Sequence, residues 1–317
     1  MTGPTMDAAA LEEHLREAVR GLGVDVDRAR FGVAISGGPD SMALLYLSAR
    51  AFPGRVESAT VDHGLRPESA DEAAMVGGWC AARGIPHAIL HPDAPRTGNL
   101  HDWGRGQRYA LLEAWRGERG LDWLFTAHHA DDQLETMLMR LNRGAGLGGL
   151  AGVRPRMGHV LRPLLNVRKG ALQALADAEG LPHVLDPSNA DPRFDRSRIR
   201  AALAEADWLD PQAAARSAAA LGEAERALNW TVDSLAERHV RREGEGWRLE
   251  QTGFPREIQR RLLLRMLAQA APDAPPPRGD SLDRAIAAAA MGRKASLGDW
   301  LLIGGPEWRL IPAPPRK

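Results

Sequence analysis

An α/β fold, with a doubly wound and mainly parallel sheet followed by a smaller, mostly helical C-terminal domain, is predicted by three features of the 317-residue sequence. Short apolar runs alternate with helical stretches through the first half, the order expected of parallel strands joined by crossover helices. Glycine-rich or acidic turns follow those runs, at the strand ends where such sheets bind ligands. After the segment 207–211 the composition changes to alanine-rich helix, which places a first domain at 1–210 and a second at 211–317.

An amphipathic helix is expected around Leu11 to Leu22, ahead of a strand at Phe31 to Ser36. Further strands are expected at Val56 to Val61, His87 to Leu90 and Trp123 to Ala127. Helices fill the intervals at Pro39 to Arg50, Pro67 to Arg83, Asn99 to Arg116 and Ala130 to Leu141. In the second domain a helix at Ala213 to Val240, the run Trp247-Arg248-Leu249 and a helix at Pro255 to Ala270 precede a proline-rich linker at Ala271 to Gly279.

Forty-four per cent hydrophobic residues over this length are enough to bury a substantial core. Met1 to Ala10 has no basic region followed by an apolar core, and no apolar run reaches the roughly eighteen residues of a membrane span, so a cytoplasmic protein with no membrane partner is expected. Cys80 is the single cysteine, which excludes an internal disulfide and every multi-cysteine zinc or iron–sulfur site. Net charge is zero, yet lysine occurs only at Lys169, Lys294 and Lys317, so positive charge is nearly all arginine, clustered at Arg193, Arg196, Arg198 and Arg200. Arginine forks suit phosphate and stack on bases, although solvated helix faces account equally well for any single arginine outside a motif.

Ser36-Gly37-Gly38-Pro39-Asp40-Ser41 joins the first strand to the next helix. Adjacent glycines turn backbone N–H groups toward an anion, and the helix start adds free amides and the positive end of its dipole, so pyrophosphate is the natural guest. The common GxxxxGK loop needs a lysine that is absent here. An ordinary capped turn is the plain alternative. At the end of the second strand, Asp62 in Asp62-His63-Gly64 lies where a carboxylate reaches ribose hydroxyls or the adenine edge of a nucleotide, or simply ends the strand as a polar turn.

The fourth strand ends in Thr126-Ala127-His128-His129-Ala130-Asp131-Asp132-Gln133-Leu134-Glu135-Thr136. Asp132 and Glu135, three apart on one helical face, with His128 or His129 just ahead of the first turn, form a set able to bind Mg²⁺ on ATP or move protons. Helix capping accounts for Asp131 equally well, and the favourable dipole of a first turn is the plain alternative for Asp132. Zinc is disfavoured, because the spacing is not HExxH and no second cysteine assists.

SGGPDS resembles the PP-loop of the N-type ATP pyrophosphatases, which split ATP between the α and β phosphates and pass AMP to an acceptor; the implied fold is that of the adenine nucleotide alpha hydrolases. VDHGLRPES, GNLHDWGRGQRY, TAHHADDQLETMLMRLNRGAGLGGLAGV, RPLL and DPSNADPRFDRSRIR then follow in the order and spacing of the bacterial tRNA(Ile)-lysidine synthases, over about residues 31 to 200. This resemblance implies that ATP activates the wobble cytidine of a CAU anticodon in an isoleucine tRNA, and that free L-lysine displaces AMP. It implies ATP contacts at Ser36, Gly37, Gly38, Pro39, Asp40, Ser41 and Asp62, and catalytic roles for Asp40, His129, Asp132 and Glu135. Mg²⁺ would rest on Asp40 and Asp132, and phosphates of ATP or RNA on Arg105, Arg108, Arg143, Arg196, Arg198 and Arg200. The stretch from Arg143 to Gly152 would act as a flexible, water-excluding cover, and the C-terminal domain would help select the tRNA; a purely supporting domain or a homodimer contact is the alternative.

Two positions depart from the family pattern: Gly104 stands for an alanine and Ser197 for an asparagine, while Asp186, Ser188 and Asn189 match. Three rivals fare worse. A tRNA thiolase needs paired cysteines or an iron–sulfur cluster, an amidotransferase needs an ammonia source, and a noncatalytic nucleotide-binding module leaves HHADDQLET without purpose.

Overall fold

The computed structural model describes residues 7–64, 69–92, 100–184 and 195–314, leaving aside the side chains of Leu100, His101, Asp102 and Arg105. Two compact units divide the chain, Met1–Gly222 and Glu223–Lys317.

The first unit opens with α1 (Ala8–Gly21), started by Asp7, whose carboxylate accepts from the Ala10 N–H at 2.8 Å. Leu11, Leu15 and Val19, spaced four apart, form its buried stripe. Then come β1 (Phe31–Ile35), α2 (Pro39–Ala51), β2 (Val56–Val61), α3 (Ser69–Ala81), β3 (His87–Leu90), α4 (Leu100–Glu118), β4 (Trp123–Phe125) and α5 (Ala130–Asn142). The alternation expected from the sequence is present, with ends shifted by a few residues. Next are the short α6 (Leu147–Leu150), a two-residue pair β5 (Arg156–Met157) and β6 (Val160–Leu161), α7 (Lys169–Ala178) and α8 (Asp195–Ala204).

The sheet order is β3-β2-β1-β4-β6-β5, parallel throughout except for the β5–β6 pair. Its central strand β1 pairs with both β2 and β4, so its carboxyl end lies at the point where strand order reverses. That is where an open α/β sheet leaves a crevice for ligand. Phe31, at the amino end of β1, stacks on Phe125 of β4 at 4.7 Å and meets Phe52 at 4.4 Å, anchoring the strand from the end opposite the crevice. Leu44, Leu45 and Leu47 of α2 are fully buried in the same core, each contributing about 2 kcal/mol of burial. The helix that follows the phosphate loop is therefore held rigidly.

α9 (Pro211–His239) crosses from the first unit into the second. The division falls inside this helix rather than at residue 210, because its opening turns belong to the first unit: Ala215 and Ala218 are buried, and the Gln212 amide donates to the Asn166 carbonyl at 3.0 Å. The second unit holds β7 (Val240–Glu243), β8 (Gly246–Leu249), α10 (Arg256–Ala270), α11 (Gly279–Ala290), β9 (Lys294–Leu297), β10 (Trp300–Ile303) and β11 (Trp308–Pro312). The helices expected there are present. They pack on an antiparallel five-stranded sheet, order β7-β8-β11-β10-β9, that a mostly helical reading did not foresee. Leu262, Leu263, Met266, Leu282, Leu302 and Leu310 close its separate core.

Candidate active site

The turn from β1 into α2 forms an anion cradle. Gly37 takes φ +78, a conformation that side-chain-bearing residues rarely adopt, and Gly38 begins α2 with no side chain capping the first amides. Pro39 occupies the first helical turn, where a missing N–H costs nothing. The Ser41 hydroxyl donates to the Gly38 carbonyl at 2.9 Å and accepts from the Ser36 N–H at 3.3 Å, locking the bend. The Val184 N–H closes it from outside, donating to the Gly37 carbonyl at 3.0 Å.

Asp40 stands in the first turn of α2. Its Oδ1 is buried without a hydrogen-bond partner, while Oδ2 lies 3.6 Å from Nε2 of His129. His129 starts α5 and forms a capping box with Asp132: its Nδ1 accepts from the Asp132 N–H at 3.2 Å, and the Asp132 carboxylate accepts from the His129 N–H at 3.1 Å. Nδ1 being an acceptor, the ring proton sits on Nε2, between Asp40 and Asp132 Oδ2 at 3.5 Å. Burial is the largest single influence on this imidazole and pushes its pKa down. The Asp40 contact and the charges of Asp132, Asp40 and Asp131 together outweigh it and raise the pKa above the ordinary histidine value. Burial likewise raises Asp132, but His129, Arg196 and His128 draw it below the usual carboxylate range.

Glu135, with 4% of its side chain exposed, is clamped by two guanidiniums. Arg200 donates to Oε1 at 2.7 Å and to Oε2 at 3.0 Å, and Arg196 donates to Oε2 at 2.7 Å while bridging to Asp132 Oδ1 at 2.9 Å. Helical spacing explains the selection: Arg196 and Arg200, four apart on α8, face α5, whereas Arg198 points away. Arg198 and Arg143 instead share Asp195, at 2.7 and 2.9 Å, and both are about two-thirds exposed. The arginine cluster seen in the sequence is thus two groups.

Asp62 follows β2 with Oδ1 accepting from the Gly64 N–H at 2.8 Å and the Ser69 hydroxyl at 2.7 Å. The Ser69 bond, then the Gly64 bond, holds its carboxyl below the usual range. Arg108 is exposed on α4 close enough to His63 to depress that imidazole's pKa, though burial does so more. The side chain of Arg105, and Asp186, Ser188, Asn189 and Arg193 altogether, lie outside the described residues.

Three positioning residues, Gln133, Arg140 and Arg154, were given no role from the sequence, and a fourth, Asp131, acts on an unexpected helix. Asp131 caps α7, accepting from the Lys169 N–H at 2.7 Å, so the capping alternative was right in kind but applies to a different helix. The Gln133 amide forms a two-bond clasp with the Val153 backbone, donating to its carbonyl at 2.8 Å and accepting from its N–H at 2.6 Å. Arg140 donates to the carbonyls of Gly149 and Gly152 at 2.7 and 2.9 Å, and Arg154 to that of Gly148 at 2.9 Å. The stretch from Arg143 to Gly152 is therefore a tied loop with a helical turn at its centre, not the loose cover expected of its glycines. Gly152 adopts φ +64 directly against Gln133, so it has neither room nor backbone freedom for a side chain.

Among the described residues no three His, Cys, Asp or Glu side chains converge to hold a metal ion, and no helix is long and apolar enough to cross a membrane. Cys80 is buried in α3 against Ser58, and burial pushes its thiol pKa up.

The PP-loop domain family matches residues 10–206. A tRNA(Ile)-lysidine synthase of Zymomonas mobilis subsp. mobilis is 40% identical over 311 residues, covering 95% of this chain and 94% of its own length. Another, of Novosphingobium aromaticivorans, is 43% identical over 297 residues, covering 88% and 90%. Among solved structures, the U34-tRNA thiolase NcsA from Methanococcus maripaludis with its [4Fe-4S] cluster aligns with a TM-score of 0.54 at 21% identity, over 67% of this chain and 78% of that one, a likeness of fold alone. This ATP-using chain belongs to the PP-loop domain family and, within it, to the tRNA(Ile)-lysidine synthases.

Proposed function

We propose that this protein forms lysidine at the wobble cytidine of tRNA(Ile) bearing a CAU anticodon, using ATP and free L-lysine and releasing AMP and pyrophosphate. The observation that carries this reading is end-to-end kinship with the lysidine synthases, 40% identity across 95% of the chain, joined to a cradle at the end of β1 in which Asp40, His129 and Asp132 converge.

In the first step the cytidine C2 oxygen attacks the α phosphorus of ATP, and the bond to pyrophosphate breaks. The amides of Gly38, Asp40 and Ser41 and the dipole of α2 stabilise the departing pyrophosphate. Asp62, bonded to Ser69 and Gly64, shapes the turn on the nucleotide side. Magnesium fits this site through the partner-free Oδ1 of Asp40, because the ion takes one or two carboxylates and fills its remaining positions with phosphate oxygens and water. Asp132, whose oxygens already serve Arg196 and the His129 amide, would join through water. When bound, the ion neutralises charge on the leaving group.

In the second step the lysine ε-nitrogen attacks C2 and the bond from C2 to the AMP oxygen breaks. The ammonium, with an ordinary pKa of about 10.4, must first give up a proton. We assign the ammonium to the buried carboxylates Asp132 and Glu135, and its proton to the cluster that they form with His129. Glu135 positions Arg196 and Arg200, and His129 orients Asp40 and Asp132. Arg108, Arg143 and Arg198, which are exposed, are assigned to RNA phosphates, as is Arg105, three residues before Arg108; the second unit, 223–317, is assigned to holding the tRNA stem. Cys80 is buried with a raised pKa and so is no sulfur carrier, which sets the chain apart from thiolation.

Labelled lysine supplied with ATP and a CAU-anticodon isoleucine tRNA tests the proposal. Label enters the RNA only when ATP is present; absence of label at saturating enzyme rejects it.

A further inference from the structure

Resting on the lysine-using reading above, we propose that Arg196 is an exchangeable counter-ion: it occupies the ammonium subsite in the substrate-free enzyme and leaves it for a substrate phosphate, so that lysine binds well only after that phosphate arrives. Arg196 bridges two carboxylates, with Nη2 on Asp132 Oδ1 at 2.9 Å and Nε on Glu135 Oε2 at 2.7 Å. Those oxygens border one cation-sized space, and a guanidinium fills it. No ammonium can enter while it stays.

The two arginines of the clamp are not equivalent. Arg200 spans both oxygens of Glu135 at 2.7 and 3.0 Å, so Glu135 remains paired if Arg196 departs. Arg196 alone reaches Asp132, and 40% of its side chain is exposed, so it can swing without crossing packed core. Its departure frees Asp132 Oδ1 and one lone pair of Glu135 Oε2, two anionic acceptors for an incoming ammonium. Removing a guanidinium from buried carboxylates without replacement is costly, which ties the swing to the entry of another cation.

The destination is close. Asp132 lies 3.5 Å from His129 Nε2, which lies 3.6 Å from Asp40 at the mouth of the phosphate cradle. A planar fork released there finds phosphate oxygens that match it in charge and spacing. Exchange makes two ligands help each other: phosphate draws Arg196 off the carboxylates, and lysine keeps it off. The enzyme then gathers lysine beside an activated or activatable base, not in an empty site.

Calorimetric titration of the full-length protein with L-lysine measures this directly, alone, with an ATP analogue whose α–β bridge resists cleavage, and with tRNA(Ile) lacking ATP. The proposal expects at least about a five-fold tightening of lysine in one of the two loaded states, with lysine tightening that ligand by the same factor. Tightening by the analogue names the nucleotide as the source of the phosphate, and tightening by tRNA names the RNA. In Arg196→Gln the ratio of the two lysine dissociation constants falls to near one, and the free enzyme binds lysine about as tightly as loaded wild type. A purely structural arginine would weaken both states equally and leave the ratio unchanged, which overturns the proposal. So does a wild-type ratio of one, a measurement that needs no variant. If lysine enters tRNA but its affinity ignores both ligands, only the exchange is wrong; if lysine neither binds nor enters RNA, the functional reading falls with it.

Discussion

Nε2 of His129 and Oδ2 of Asp40 meet at 3.6 Å, joining the first turn after β1 to the first turn after β4. The uncapped amides at the start of α2 thereby share a single spot with one buried imidazole and two carboxylates from the starts of α2 and α5. The chemistry proposed above needs that spot to be anionic enough for a cation and still open to phosphate.

Asp40→Ala is expected to lower pyrophosphate release by more than about 100-fold, the scale of losing a group that stabilises the leaving charge. The fold should survive, since Oδ1 has no hydrogen-bond partner and the Oδ2 contact with His129 is long, at 3.6 Å. Pyrophosphate release assayed beside circular dichroism checks both halves; full activity in a folded variant removes Asp40 from the site.

Glu135→Gln breaks a buried pair that holds two guanidiniums, and the expected loss is about 3–5 kcal/mol of stability. Urea unfolding measures it. A loss below about 1 kcal/mol would mean that the clamp contributes no more than a surface ion pair does.

Gly152→Ala places a methyl against the Gln133 amide at a left-handed backbone position. Overpacking of this kind costs about 1–3 kcal/mol, with the Gln133–Val153 clasp opening first. Amide exchange at Val153 should speed up in the variant; an unchanged rate contradicts the tied-loop description.

Much of this arrangement is local and was legible in the sequence. Two glycines, a proline at the helix start and an aspartate one residue later mark the cradle, although Val184 closes it from far along the chain, and the placing of His129 and Asp132 at one helix start follows from their spacing. Partners distant in the chain were not legible. Arg196 lies 61 residues from Glu135, and nothing in the periodicity of either helix says that a basic stripe will turn inward. The C-terminal sheet escaped for another reason: its strands are four or five residues long, too short to show alternation between turns. The glycines after Arg143 suggested looseness because the arginine and glutamine that tie them down act through their carbonyls and amides, which composition does not display.

Asp62 gives a pH dependence whose sign follows from its bonds. Ser69 and Gly64 hold its folded-state pKa below the unfolded value, so the folded protein binds that proton less tightly. The contribution is present above about pH 4, the unfolded aspartate value, and is lost as pH falls through the depressed one. Ser69→Ala removes the largest cause and should move the acid-unfolding midpoint to higher pH. A midpoint unchanged or lowered contradicts the assignment.

Chains ended at two points distinguish the two units. A chain stopped after Gly222 keeps Ala215 and Ala218 in the first core and should bind ATP with near-normal affinity while losing at least about ten-fold in tRNA affinity; one stopped at residue 210 should also lose stability. Filter binding of tRNA beside nucleotide titration reads the difference, and equal tRNA affinity in the Gly222 chain refutes the role given to 223–317.

Product analysis with ATP labelled at the α phosphate, in the presence of tRNA(Ile) and lysine, reaches the centre of the account. Cleavage at the cradle predicts labelled AMP, one for each lysine joined to RNA, with pyrophosphate as the other product. Labelled ADP, or AMP formed without a matching lysine in the RNA, would contradict it.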